Sequence, residues 1–217
     1  MDNPAQRTAG RTLDHAAGLY DILSPLVTLG REPRLHRQVV ELLDLGDGQH
    51  VLDVGCATGA LSARIARTCL PLGGSVVGID AAAKMIAAAR RKHGDQPNLV
   101  FEAALAEELP YANGSFDRVV STFFFHHVNK SLKERCLAEM HRVLRPGGRV
   151  LVVDVDAPTH WFGSFCAWSG YLLFRQPEIR ENIEGVLRDA FASSAFASWR
   201  QVGHQLGYVS LFMLERG

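Results

Sequence analysis

The sequence predicts an α/β fold: a doubly wound, mostly parallel sheet with helices on both faces and an antiparallel hairpin at its C-terminal end. Three observations carry the prediction. Short apolar runs, continuous rather than alternating, take turns with stretches of helical period along most of the chain. The 217 residues, 47% hydrophobic and 21% charged, suffice to bury one substantial core. No repeat or low-complexity tract interrupts the rhythm.

The elements follow in order. Leu35, Val39 and Leu42 stand at helical spacing within residues 33–45. Residues 51–54 form a short apolar run. Residues 60–70 then carry Leu61, Ile65 and Cys69 on one helical face, and residues 75–79 are apolar again. The beat continues with a helix over 82–93, a strand near 99–104, a strand over 117–124, a helix over 132–144 and a strand over 149–155. Strands of this kind, separated by helices, indicate a parallel sheet covered on both sides.

After Val155 the rhythm breaks. Residues 157–174 hold no Asp, Glu, Lys or Arg and six aromatic side chains. A bilayer span takes about 20 predominantly apolar residues, and this stretch includes a Pro, two Gly, two Ser, a Thr and a His, so no transmembrane helix is expected. Trp161, Phe165, Trp168 and Leu172 share one helical face. That face reads first as core, with an apolar pocket wall or a lipid-facing surface as the alternative. Two β-prone runs, 196–206 and 208–215, meet near Gly207 and suggest a hairpin closing one sheet edge.

Charge and cysteine content exclude several classes. Lys plus Arg and Asp plus Glu number 23 each, so no global field favours a polyanion, and nucleic acid is not an expected partner. The first residues are polar and lack the apolar stretch of a secretory signal, which points to the cytoplasm. Cys56, Cys69, Cys136 and Cys166 are far apart and form no Cys-x-x-Cys or Cys/His cluster, so neither a disulfide framework nor a metal site is expected.

The most informative stretch is Val51-Leu52-Asp53-Val54-Gly55-Cys56-Ala57-Thr58-Gly59, a buried strand entering a glycine-bearing turn and then a helix. Such a turn brings backbone close to a ligand and presents the unpaired N–H groups of a helix start, at the strand end where open α/β sheets bind ligands. Charge selects the ligand. A dinucleotide site asks for Gly-x-Gly-x-x-Gly and an ATP site for a lysine after its last glycine; neither is present, and residues 51–63 hold no Lys or Arg. Asp53 repels phosphate and attracts a cation. S-adenosylmethionine carries a sulfonium and an α-ammonium, and no phosphate. Asp80 closes the strand Val76-Val77-Gly78-Ile79, where a carboxylate accepts from both ribose hydroxyls. Taken alone it reads equally well as a helix cap; beside the glycine loop it reads as part of a nucleoside site.

These residues resemble the class I S-adenosylmethionine-dependent methyltransferases with a Rossmann-like sheet. Residues 51–59 resemble the first motif of that family, and Gly78-Ile79-Asp80 with Met85 the second. Glu107-Glu108-Leu109-Pro110-Tyr111 followed by Gly114-Ser115-Phe116-Asp117 resembles the loop near the adenine, and His141-Arg142-Val143-Leu144-Arg145-Pro146-Gly147-Gly148 the turn before the fifth strand. The family often places an Asp four residues before the Leu-Pro pair; here Leu105 stands there, leaving the adenine to Ala106, Glu107 and apolar packing. The resemblance implies that Asp53, Gly55 and Gly59 line the methionyl part of the site, with Cys56, Ala57 and Thr58 as loop backbone. It assigns Asp80 to the ribose, Ala81 and Met85 to the adenosine, and Thr122 to the methionyl group. Cys56 reads as a small turn residue rather than a nucleophile.

Tyr20-Asp21-Ile22-Leu23-Ser24 with Leu29-Gly30-Arg31 is loosely similar to the amino end of ubiquinone/menaquinone-biosynthesis C-methyltransferases, and a similar start occurs in phospholipid N-methyltransferases. The resemblance divides one domain, 1–217, into an N-terminal helical cover (1–45), a cofactor-binding core (46–156), an acceptor-side helical segment (157–185) and a C-terminal helix and hairpin (186–217). It favours quinone-type C-methylation of a small, apolar or lipid-like acceptor, with peripheral membrane contact. N- or O-methylation of a phospholipid amine or a water-soluble metabolite is the alternative, and binding without turnover a third. His127 is the expected base where the acceptor must lose a proton. His126, His160 and Tyr20, with Trp161, Phe165 and Trp168, are the expected acceptor contacts. The oligomeric state stays open.

Overall fold

A computed structural model describes residues 30–217 together with Thr8 and Gly10. Seven strands form one sheet: β1 (His50–Val54), β2 (Ser75–Asp80), β3 (Leu99–Ala103), β4 (Phe116–Thr122), β5 (Leu144–Val155), β6 (Ser198–Gln205) and β7 (Val209–Glu215). Their order is β3-β2-β1-β4-β5-β7-β6. Strands β1 to β5 run parallel, and β7 pairs antiparallel with both β5 and β6. Seven helices accompany them among the described residues: α1 (Glu32–Leu43), α2 (Ala60–Cys69), α3 (Ala83–His93), α4 (Lys130–Val143), α5 (Trp161–Phe174), α6 (Pro177–Ile183) and α7 (Val186–Ala192).

Side-chain alternation along the strands divides the core between two faces. Leu151 and Val153 of β5 join Leu35, Val39, Leu61 and Ile65 from α1 and α2 on one side. Val150 and Val152 join Leu137 and Met140 of α4 and Leu187 and Phe191 of α7 on the other. This two-sided burial is why the central strands read as continuous apolar runs. Strand order reverses between β1 and β4, and there the carboxyl ends open a crevice.

The predicted hairpin forms around Leu206 (φ 56°) and Gly207 (φ 73°), with β6 as the outer strand and β7 inserted against β5. Two boundaries differ from the sequence reading. Strand β4 ends at Thr122 because Phe123 turns left-handed at φ 53°. Strand β5 begins at Leu144, ahead of the Pro146-Gly147-Gly148 turn.

The face of α5 corrects the expectation of core or pocket wall. Trp161 is 80% exposed and Phe165 66%, with Phe162, Trp168, Leu172 and Leu173 also open to solvent. The packed side holds Cys166, Ala167 and Tyr171, and near the helix start the approach is close, for a Cβ on Gly163 would lie only 2.1 Å from the Gly207 carbonyl oxygen. No helix among the described residues is long and apolar enough to cross a membrane.

Candidate active site

The glycine turn is fastened to the neighbouring strand by its own backbone. The N–H groups of Gly55 and Cys56 both donate to the Ile79 carbonyl at 2.9 Å, and the Gly59 N–H donates to the Cys56 carbonyl at 2.9 Å. Asp80 locks the turn from the side: one carboxylate oxygen accepts from the Ala57 N–H at 3.0 Å and the other from the Ala82 N–H at 2.8 Å. Asp80 thus bridges the turn and the residue before the next helix from the carboxyl end of β2.

The two glycines answer different demands. Gly59 is left-handed at φ 83°, and a Cβ there would fall 2.5 Å from Cζ of Phe101, so packing against β3 requires it. Gly55 faces the crevice, where a Cβ would meet the Phe124 ring at 3.0 Å and fill space between turn and wall.

An open cleft lies at the crevice and is lined by Gly55, Ala57, Asp80, Ala81, Met85 and Ala106 together with Glu107 and His127 from the expected set. Asp53, Cys56, Thr58, Gly59 and Thr122 stand outside that lining, beneath or beside the turn. The sequence reading missed Ile79, Ala104, Phe123, Phe124 and Val128, and also Thr8 and Gly10, all of which line the cleft. The three-phenylalanine run was the available signal for two of them. The Thr8 hydroxyl donates to Glu107 at 2.7 Å. The 107–111 loop itself is clamped from α4. Arg142 donates to the carbonyls of Leu109 and Tyr111, while Glu139 accepts the Leu109 N–H.

Among the described residues the charge at the cleft is one-sided, for Asp80 and Glu107 line it and no Lys or Arg does. Asp53 sits just below, 1% exposed. One of its oxygens accepts the Ser62 hydroxyl at 2.5 Å, and the other is buried without a partner. Burial pushes its carboxyl up to about 7, the Ser62 bond pulls it down, and Asp80 adds a smaller upward push. Burial, with Asp53 and Asp80 nearby, likewise raises the Cys56 thiol well above its usual range, which keeps it protonated and non-nucleophilic. An orphaned buried carboxylate oxygen, a second carboxylate at a strand end and a glycine-shaped gap suit a cationic nucleoside without phosphate. The residues present thus fit S-adenosylmethionine.

Beyond the turn, the cleft wall is Phe123, Phe124, His127 and Val128. His127 Nδ1 lies 3.2 Å from the Gln176 side-chain oxygen. His126 is buried behind this wall with Nδ1 2.7 Å from Asp154. His160 is elsewhere: it caps α5, Nδ1 accepting the Gly163 N–H at 3.1 Å, which corrects its expected place at the acceptor. Trp161, Phe165 and Trp168 are on the outer face of α5 and do not line the cleft. Tyr20 lies outside the described residues. No group of three or more His, Cys, Asp or Glu side chains among the described residues is arranged to hold a metal.

Comparison with known proteins agrees with this chemistry. A family model described as a methyltransferase domain matches residues 51–148. The chain is 31% identical to a demethylmenaquinone methyltransferase of Beutenbergia cavernae over 222 residues, covering 94% of this chain and 88% of that protein. It is 36% identical to a ubiquinone/menaquinone biosynthesis C-methyltransferase of Geobacter sp. over 143 residues, covering 64% and 60%. Aligned stretches span 60% to 66% of several such relatives. The fold is shared with the crystal structure of a putative S-adenosyl-L-methionine-dependent methyltransferase from Methanococcus maripaludis, with a TM-score of 0.68 at 16% identity and 96% of each chain covered. Glycine turn, paired carboxylates and kinship lead to one conclusion: the chain belongs to the class I S-adenosylmethionine-dependent methyltransferases, and its cofactor is S-adenosylmethionine.

Proposed function

We propose that this methyltransferase C-methylates a lipid-soluble, quinone-type ring. The observation that carries the reading is the acceptor wall: Phe123, Phe124 and Val128 offer a planar apolar ring aromatic and aliphatic contact, and no Lys or Arg among the described residues lines the cleft to prefer a phosphate or carboxylate. The names of the relatives from Beutenbergia and Geobacter point the same way. When bound, the cofactor supplies an electrophilic methyl carbon. The chain's own task is to orient the acceptor against it and exclude water.

On this reading the Gly55–Ala57 backbone and Asp53 hold the methionyl end, and Asp80, Ala81, Met85, Ala106 and Glu107 hold the adenosine. The charge-free outer face of α5, with two Trp and two Phe side chains, rests in the headgroup region of a bilayer, where such rings partition. The enzyme then works at the cytoplasmic side of a membrane and takes its acceptor from it.

The test is transfer of a radiolabelled methyl group to a 2-prenyl-1,4-naphthoquinol in vesicles, beside a phosphatidylethanolamine control and an aqueous metabolite extract. Label in the quinone fraction supports the reading. Label confined to phosphatidylethanolamine or to water-soluble products overturns it.

A further inference from the structure

Lys133 is a cation held entirely inside the protein. Its side chain is 0% exposed, and it stands near the amino end of α4, which begins at Lys130. Both circumstances work against it. An ammonium withdrawn from water is costly even when paired, and the amino end of a helix disfavours positive charge. A methionine of similar volume would fill the space without either penalty.

What offsets these penalties is what the ammonium holds. It donates to the Val128 carbonyl and, at 2.9 Å, to Glu181 of α6. Val128 ends the turn that follows β4, is itself buried, and lines the cleft. Gly10, also in the lining, lies so near that a Cβ on it would come within 3.0 Å of Val128 Cγ1, so Val128 has a close neighbour across the cleft as well as a tether behind it. An adjacent tie repeats the arrangement, for His127 Nδ1 lies 3.2 Å from the side-chain oxygen of Gln176, the residue before α6. Two successive residues of the wall are thus fastened toward α6. Of the two ties, the one through Lys133 bears on the backbone.

We propose that Lys133, paired with Glu181, is a positioning residue for the methyl acceptor: it holds the Val128 carbonyl and so fixes where Val128 stands in the acceptor wall. This rests on the reading of Phe123, Phe124 and Val128 as the surface the acceptor meets. Lys133 touches neither cofactor nor acceptor and moves no proton. Without it the Val128 carbonyl loses a charged donor in a buried place, the turn shifts to recover one, and the acceptor is aligned less well against the methyl carbon. The cofactor side is spared, because Asp80 and Met85 belong to β2 and α3.

Two variants separate positioning from stability. Lys133→Met removes the donor and leaves Glu181, 30% exposed, to water. Lys133→Met combined with Glu181→Met replaces the whole pair by apolar side chains, an exchange that is often neutral or stabilising, and it carries the test should the single variant fail to fold. Both should bind S-adenosylmethionine within about twofold of the parent and lose about tenfold or more in kcat/KM for the naphthoquinol, chiefly through KM. The double variant should do so at an unfolding midpoint no lower than the parent's. Parent-like kcat/KM in the double variant overturns the proposal, since the pair would then serve stability alone; so does an equal loss of S-adenosylmethionine affinity. Absence of label in the naphthoquinol with the unsubstituted protein overturns the acceptor reading instead, and hydrogen exchange then decides the role of Lys133. The His127 and Val128 amides, which donate to the Phe124 and Phe125 carbonyls, should exchange about tenfold faster in the double variant, and unchanged exchange overturns the proposal.

Discussion

Asp53→Asn should stabilise the cofactor-free protein at alkaline pH and not at acid pH. The Asp53 carboxyl is raised to about 7 from an ordinary value of 3.8, a displacement worth ~4 kcal/mol at 1.36 kcal/mol per pH unit. The sign follows from proton binding. Between those values the folded state holds a proton that the unfolded chain releases, so stability is full below the ordinary value and falls as pH rises to about 7. Asparagine cannot ionise, and its amide oxygen retains the Ser62 hydroxyl. Urea unfolding of both proteins at pH 4.5 and pH 8 isolates this effect, because any fixed cost of the substitution cancels between the two conditions. The variant should gain ~3 kcal/mol relative to the parent across that interval, since part of the effect lies below pH 4.5. A difference constant to within about 0.5 kcal/mol, an ordinary surface-substitution effect, would show that Asp53 ionises normally and that its unpartnered oxygen is solvated.

The same carboxyl links the cofactor to protons. A cation in the cleft favours the charged form of Asp53, so S-adenosylmethionine binding at pH 6.5 should release protons, read by calorimetry in buffers of different ionisation heat; uptake would contradict it. Asp80→Ala deletes the acceptor that ties Ala57 to Ala82 and should weaken S-adenosylmethionine binding at least about tenfold, ~1.4 kcal/mol, with Asp80→Asn in between; equal affinity in all three refutes the ribose assignment. Gly59→Ala places a Cβ against Phe101 at left-handed φ and should cost about 2–4 kcal/mol in urea unfolding. Phe101→Leu should recover part of that loss if packing is the cause. Trp161→Ser with Phe165→Ser and Leu173→Ser should abolish flotation with phosphatidylglycerol-containing vesicles at unchanged unfolding midpoint; retained flotation would assign the α5 face to something other than lipid.

Most of the sheet was legible because its strands are buried on both faces. Val51–Val54 and Val150–Val153 need no tertiary knowledge to read as strands, for no polar face competes with the apolar run except at Asp53. The ends were less legible where one residue's φ decides: nothing in Phe123-Phe124-Phe125 says that Phe123 turns left-handed and stops β4. Strand order at the C-terminal edge was also out of reach. That β7 lies between β5 and β6 depends on the pairing of Val150 with Leu214 and Leu151 with Met213, contacts far apart in sequence. For α5 the period correctly grouped Trp161, Phe165, Trp168 and Leu172. It was silent on direction, which shows only in the packing of Cys166, Ala167 and Tyr171 on the opposite side.

The two halves of the site differ for a topological reason. One half is a glycine turn built from backbone, and backbone turns are contiguous: Gly55 to Gly59 can be read as one stretch because successive peptide groups of one loop form it. The opposite wall is built from side chains that follow β4 and pack at the end of β5, and parallel neighbours are separated by a whole helix. His126 and Asp154 touch, yet they stand 28 positions apart with all of α4 between them. A carboxylate following the apolar run of β5 looks in the sequence like a strand end and nothing more. It gains chemical meaning only when β4 and β5 pair and the turn after Thr122 folds back over it. The glycine turn of a doubly wound sheet is therefore legible as one short motif, while a contact between the ends of neighbouring parallel strands becomes visible only once those strands pair.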